Sequence, residues 1–212
     1  MRAITLLDNG ETRTYSRNGR EATASFPELA AALAGTSAAR RFVIDGEIVA
    51  PELPTGIPSF RRLQHRMHIA RPPAALIASV PVQLFVFDVL AIDDTDTVAL
   101  PYVQRRELLD ELDLASALVR VPPYWTGIAP AQMLDVAADH GLEGIVSKRL
   151  ASIYRPGQRS RSWIKTRCAG RRMSLSRAGS SAKNCSRCNS ALPKDVEAAV
   201  ITLSHTTVFR GL

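Results

Sequence analysis

Two short stretches of the chain carry residues that could do chemistry. Glu143 opens an apolar run, Gly144-Ile145-Val146-Ser147, that ends in Lys148 and Arg149. A little later come Arg159-Ser160-Arg161-Ser162 and then Trp163-Ile164-Lys165-Thr166-Arg167. Both runs read as strands. Alternate residues of a strand share a face, so Lys165 and Arg167 point together. Two cations on one face with a carboxylate nearby suit a pocket for phosphate, metal and nucleotide. The same spacing also suits an edge strand dressed with solvated charge, a common guard against aggregation.

Other chemistry-bearing residues lie upstream. Asp45-Gly46-Glu47 interrupts the apolar run Phe42–Ala50. Two acids inside a strand need partners to offset lost hydration. An edge strand with a bulge at Gly46 would supply them from solvent, and a pocket-facing glutamate would supply them from a ligand. Arg17 sits in the turn Ser16-Arg17-Asn18-Gly19, where it is either a solvated turn residue or a phosphate or ribose contact. Phe85 and Phe87 lie in Val82–Leu90, a run apolar enough for a strand buried on both faces, broken only by Asp88. Both rings read first as core. His65 and His68 share a basic segment with Arg61, Arg62 and Arg66. Without a third ligand in reach, this reads as a solvated or DNA-facing basic surface rather than a metal site.

The elements that must position these groups follow from pattern. Residues 3–7 and 12–16 are predicted as strands joined by Asp8-Asn9-Gly10, because an Asn-Gly pair accepts the positive φ of a type I′ hairpin turn. A packing helix is predicted from Phe26-Pro27-Glu28 through Leu33, stopped by Gly35. Residues 51–58 read as loop. Ser59 caps a helix with Phe60, Leu63 and Met67 on one face. Leu100 to Leu112 reads as an amphipathic helix, with Val103, Leu108 and Leu112 inward and Arg105, Arg106 and Glu107 outward. Val119 to Trp125 is predicted as a strand broken by Pro122-Pro123, and residues 129–140 as a helix ended by Gly141.

Composition sets the class. The chain has 212 residues, 46% hydrophobic and 22% charged, which fits a globular protein with one sizeable core. No apolar run approaches a membrane span and no signal-peptide pattern opens the chain. The three cysteines all fall late and give no disulfide framework, so a reducing cytoplasm fits. Net charge is +7, but residues 168–212 hold seven basic and two acidic side chains, leaving only +2 for residues 1–167. Bulk charge therefore does not carry a nucleic-acid reading. Cys185-Ser186-Arg187-Cys188 is a lone Cys-x-x-Cys and lacks the second pair that zinc needs.

Taken in order, the motifs resemble the ATP-dependent DNA ligases, most of all the ligase module of bacterial end-joining ligases. Glu143–Lys148 resembles nucleotidyltransferase motif IV and Trp163–Arg167 resembles motif V. Ser16–Gly19 resembles motif Ia, Asp45-Gly46-Glu47 motif III, and Phe87-Asp88-Val89-Leu90 motif IIIa. Pro58–Met67 resembles the matching helix. The resemblance implies ATP and Mg2+ as cofactors. It implies nucleotide contacts from Arg2, Arg17, Glu47, Phe87 (stacked on adenine), Arg159, Lys165 and Arg167, and Glu143 as the metal ligand. Arg167 stands where the family has a second lysine, so charge is kept while a planar fork replaces a point donor. Nicked double-stranded DNA is the implied partner, with end-joining polymerase or nuclease modules or a DNA-end-binding protein beside it. A monomer without membrane contact is expected.

The implied fold is α+β: antiparallel sheets flanked by helices, the nucleotide cleft between them, in an incomplete ATP-grasp-like nucleotidyltransferase domain over residues 1–167. Residues 168–212 are expected to be a disordered or out-of-frame tail in place of the family's OB-fold domain. The family's covalent chemistry uses a lysine in a Lys-x-Asp-Gly-x-Arg signature. Lysines occur here only at Lys148, Lys165, Lys183 and Lys194. Arg2 falls where the signature's arginine would be, so the nucleophile is expected just upstream of Met1, and this chain alone is expected not to adenylate itself. The alternative is a non-catalytic adenylate- or DNA-binding remnant.

Overall fold

The computed structural model describes residues 1–36, 40–140, 142–158, 160–168 and 198–202. Its first strands are β1 (Arg2–Asp8) and β2 (Glu11–Ser16), paired antiparallel. Asn9 and Gly10 both take positive φ, 49° and 81°, as the type I′ turn requires. Strands β3 (Phe42–Val49) and β4 (Gln83–Ile92) extend the sheet, and β5 (Thr95–Asp96) closes one edge by a short hairpin. The order is β2-β1-β3-β4-β5; β6 (Val119–Arg120) joins β4 in parallel. This pair is the one parallel ladder among the described strands.

Alternation decides the two faces of this sheet. In β1, Ala3, Thr5 and Leu7 are buried, while Arg2, Ile4 and Leu6 are half-buried on the other side. The first set joins the main core with Phe26, Leu29 and Leu33 of the α1 region (α1, Pro27–Thr36) and with Leu63 of α2 (Phe60–Gln64). Ser59 caps α2 as expected, its side chain accepting from the Arg62 amide. A helix at Ala74–Ser79, α3, and the packing of α4 (Tyr102–Glu111) on β4 complete this layer.

A second, three-stranded sheet runs β8-β7-β9: β7 (Gly144–Arg149) pairs antiparallel with both β8 (Trp163–Arg167) and β9 (Ala198–Thr202). Met133, Leu134 and Ala137 of α5 (Pro130–Asp139) form a small core with Ile145. A third cluster, Phe87 and Tyr102 packed by Tyr124, Leu150 and Trp163, joins β4, α4 and the second sheet.

Several expectations change. The strand carrying Asp45 and Glu47 is not an edge; it lies between β1 and β4. The bulge at Gly46 is present as a register shift between Asp45 and Gly46. A Cβ on Gly46 would lie 2.7 Å from the Phe85 carbonyl oxygen, so close backbone approach requires glycine there. Arg105 and Arg106 do not face outward; both are buried, as is Arg66. Helical periodicity places such residues by polarity, and each of these arginines overrides it by bonding inward. Arg66 bonds the Val80 and Ser25 carbonyls and pairs with Glu28, and Arg105 forms a fork with Asp88. The helix expected from Phe26 starts at Pro27 and runs through Gly35 to Thr36 rather than stopping before it. The strand predicted to Trp125 spans only two residues, and α2 ends before Met67. Among the described residues no helix is long and apolar enough to cross a membrane. The Cys-x-x-Cys segment lies outside the described residues, as does most of residues 168–212.

Candidate functional site

The face of the main sheet turned away from its core carries the ionic residues. Arg2 stands opposite Glu47, and Ile4 opposite Asp45. Asp45 stands opposite Asp88 on β4, and Glu47 opposite Phe85. Arg2 grips the buried Asp45 with both arms of its fork, Nε to Oδ1 at 3.0 Å and NH2 to Oδ2 at 2.5 Å. The Tyr154 hydroxyl donates to the same carboxylate at 2.8 Å and accepts from Arg2 at 3.1 Å. Burial pushes the Asp45 carboxyl above its ordinary range, while Arg2 and Tyr154 pull it back. The two acids inside β3 thus find partners within the protein. Glu47 is buried with Oε1 3.3 Å from the Met1 nitrogen.

The second sheet supplies the facing wall. In β7 and β8, Gly144 opposes Arg167, Val146 opposes Lys165, and Lys148 opposes Trp163. Lys165 and Arg167 share a side of β8, as alternation predicts. Between them they hold Glu143: Lys165 Nζ lies 3.2 Å from Oε2 and Arg167 Nε 3.1 Å from Oε1. Lys165 and Glu143 are mostly buried, whereas the Arg167 side chain is 59% exposed. Gly144 lets the strands meet, since a Cβ there would lie 2.1 Å from the Thr166 carbonyl oxygen.

Between these walls lies a cleft of about 500 Å³. Arg2, Arg17, Arg155 and Lys165 line it with Tyr154 and Trp163. Four cations with aromatic and apolar walls are chemically suited to a phosphorylated ring compound. The charges come from β1, the β2 turn, the 154–158 loop and β8, so folding assembles them from four distant stretches.

The sequence-predicted residues distribute around this cleft as follows. Arg2, Arg17 and Lys165 line it. Glu143 is tied to it through Lys165, and Arg167 is tied to it through Glu143. Glu47 lies in register beside Arg2. Phe87 is only 4% exposed and stands behind the wall, its ring edge-on to Trp163 with centroids 6.1 Å apart. Arg159 lies outside the described residues. Sequence reading missed Arg155, Tyr154 and Trp163. Tyr154 and Arg155 fall in none of the quoted motifs, and Trp163 appears there only as a strand residue before Lys165. Lys148, given no role by the sequence beyond ending the motif IV run, has its Nζ 3.6 Å from the Trp163 ring centroid, 4.3 Å from that of Tyr102 and 4.5 Å from that of Phe87.

A metal would find one carboxylate at this edge, Glu143. Among the described residues no group of three His, Cys, Asp or Glu stands ready to hold a metal ion. That donor set does not suit a dedicated protein cage. It fits magnesium, which commonly takes one or two carboxylates and draws its other ligands from water and substrate phosphates.

Residues 1–167 match the family model for the ATP dependent DNA ligase domain. The multifunctional non-homologous end joining protein LigD of Mycobacterium bovis is 37% identical over 164 residues, covering 77% of this chain and 20% of that protein. A DNA ligase of Pyrobaculum islandicum is 32% identical over 169 residues, covering 77% of this chain and 29% of its own. Among solved structures, the ligase domain of Mycobacterium tuberculosis LigD superposes with a TM-score of 0.65 at 34% identity, covering 78% of this chain and 50% of that one. A mycobacterial DNA ligase D complexed with ATP and MES superposes at 0.64 and 35% identity, with the same coverage. The chain spans about a fifth of the length of the LigD proteins it matches.

Proposed function

Because the chain belongs to the ATP-dependent DNA ligase family, we propose that its cleft binds the adenylate of ATP and serves nick sealing in DNA. The observation that carries this reading is the convergence of Arg2, Arg17 and Lys165 on one cleft, with Glu143 held at its edge by Lys165. The similar mycobacterial DNA ligase D is complexed with ATP, which supports the same ligand here.

Phosphoryl transfer asks a protein mainly for position and for balance of negative charge. Lys165 would balance the α-phosphate. Arg2 is fixed by Asp45 and Tyr154, so it offers a rigid donor edge to ribose or phosphate. Arg17, with Arg167 and Arg159, would hold the remaining phosphate charge, and Glu47 would accept from the ribose hydroxyls. Phe87 would reach adenine only if the wall opened; in the described packing it backs Trp163. Glu143 would hold Mg2+ together with phosphate oxygens, exchanging its bonds to Lys165 and Arg167 for the metal. When bound, Mg2+ supplies charge neutralisation between phosphate oxygens.

The covalent step needs an amine that can lose its proton and reach the α-phosphate. Of the two lysines among the described residues, Lys148 is enclosed by rings and Lys165 is paired with Glu143. Arginine does not serve, since it stays protonated in proteins. We therefore expect the 212-residue chain to bind adenylate without forming a lysyl-AMP adduct. Ala198–Thr202 would belong to the adenylation unit as β9 of its second sheet, and nicked DNA would be the partner, with end-joining modules or an end-binding protein nearby. Cytoplasmic placement follows the same reading.

Incubating the chain with α-labelled ATP and Mg2+, followed by denaturing electrophoresis, tests the covalent step. No label should remain on the protein. Stable label would show that an amine of this chain reaches the phosphate. A non-catalytic adenylate- or DNA-binding role is the second reading. The absence of any lysine before Lys148 favours it for this 212-residue chain. Sealing of a nick that already carries AMP separates the two, because that step needs no lysine nucleophile.

A further inference from the structure

Lys148 is the buried group that the reading above leaves unused. Its side chain is 1% exposed and lies where both sheets and α4 meet. Rings from β4, α4 and β8 enclose the ammonium: Phe87, Tyr102 and Trp163, with centroids at 4.5, 4.3 and 3.6 Å. Nζ donates to the Phe87 carbonyl at 3.3 Å and stands 4.0 Å from Asp88 Oδ2. A cation over a ring face is attracted by the ring's quadrupole, and more strongly where water is excluded.

Of the three rings, only Trp163 also lines the cleft. Its other neighbours meet it at greater distance: Arg2 at 5.6 Å, Tyr154 at 5.9 Å, Phe87 at 6.1 Å and Tyr102 at 6.3 Å between centres. Lys148 is therefore the closest of these contacts behind the cleft's tryptophan. We propose that Lys148 is a positioning residue of the cleft: its caged ammonium fixes the Trp163 ring against which the bound nucleotide packs. This rests on the adenylate reading of the cleft.

The charged and titratable groups facing Lys148 are Asp88 from β4, Asp45 from β3, Arg105, Arg106 and Tyr102 from α4, and Arg2 and Tyr154 across Trp163. Burial lowers the Lys148 ammonium to about 7, with Asp88 and Asp45 resisting and Arg106 and Arg105 assisting. The sign follows. Below that value the ammonium grips the ring; above it the neutral amine has no charge to offer the ring. Nucleotide affinity supported by Lys148 should fade as pH rises through about 7. Stability runs the other way. The unfolded lysine holds its proton up to its ordinary value, so folding is favoured as pH rises above the lowered one.

Lys148→Met separates the two roles. Methionine fills similar space without charge, and Asp88 keeps its fork to Arg105, so no buried carboxylate is orphaned. The variant should fold with an unchanged or higher Tm. AMP affinity should fall roughly tenfold at pH 6, the scale of a desolvated cation–ring contact. The deficit should shrink towards none by about pH 9, two pH units above the lowered value. Taking the ratio of wild-type to variant affinity at each pH cancels the ionisation of AMP itself. In a Trp125→Phe background, acrylamide quenching of Trp163 should increase in the variant and, in the wild type, increase with pH over the same range.

Equal AMP affinity in the two proteins, or a deficit that stays constant with pH, would overturn the proposal. So would lost affinity with unchanged Trp163 quenching, which would make Lys148 a distant charge only. If Lys148→Met does not fold, the wild-type quenching titration decides alone, and a flat profile refutes the cage. Failure of the wild type to bind AMP at any pH would sink the adenylate reading, while the quenching titration would still report on the cage.

Discussion

Replacing Lys165 by alanine is expected to weaken AMP binding about 10- to 150-fold, the range set by losing one charge-assisted contact of roughly 1.5–3 kcal/mol. Two effects combine. The variant removes the cation expected at the α-phosphate. It also removes one of the cations that hold Glu143, so a carboxylate at the cleft edge is less well balanced and repels the phosphate more strongly. Calorimetric titration of AMP into wild type and variant checks it, with Mg2+ omitted so that no metal masks Glu143. Arg167→Ala serves as the comparison. Its side chain is more exposed, so screening reduces its share, and its loss should be the smaller of the two. Equal affinity in Lys165→Ala and wild type would show that β8 does not face the nucleotide.

The largest effect on stability is expected at Arg105. Its fork closes on Asp88 at 2.7 and 3.0 Å, and NH1 also donates to the Leu100 and Ser152 carbonyls. Both side chains are fully buried. Arg105→Leu would leave Asp88 with Lys148 at 4.0 Å and its own backbone contact to the Val89 amide. Removing one member of a buried pair costs about 3–5 kcal/mol, because the partner's charge stays desolvated. That is a large part of a domain's total margin. Urea unfolding should show the midpoint falling, or no cooperative transition at all. The pair also holds the loop at Ser152, two residues before Tyr154. A midpoint within error of wild type would show that the pair is dispensable.

The sequence made the framework of the cleft legible, because strand alternation and turn chemistry are local. Asn9-Gly10 announced the first hairpin, Ser59 its helix cap, and the spacing of Lys165 and Arg167 their common face. Gly46 showed the bulge that shifts β3 against β4. The motif residues were legible through family resemblance; Arg2, Arg17 and Lys165 among them line one cleft. What stayed hidden depends on partners far apart in the chain. Periodicity assigned Arg105 and Arg106 to solvent because polarity alone cannot reveal a buried acid such as Asp88, supplied by another element. Asp45 looked like an edge-strand acid until Arg2 and Tyr154, from opposite ends of the domain, were seen to satisfy it. Phe87 illustrates the converse. Its motif suggested a ring open to a base, whereas packing against Trp163 and Lys148 places it one layer back. The cage around Lys148 joins three elements, and no window of sequence contains it.

The two sheets are proposed to enclose an adenylate site. Titrating the isotope-labelled chain with AMP and following its backbone amide and indole NMR signals tests this most directly. Saturable shifts are expected at Arg2, Arg17, Tyr154, Arg155, Trp163 and Lys165, with the α5 surface around Val136 unmoved. Absence of saturable shifts, or shifts gathered on a surface that excludes these residues, would contradict the account.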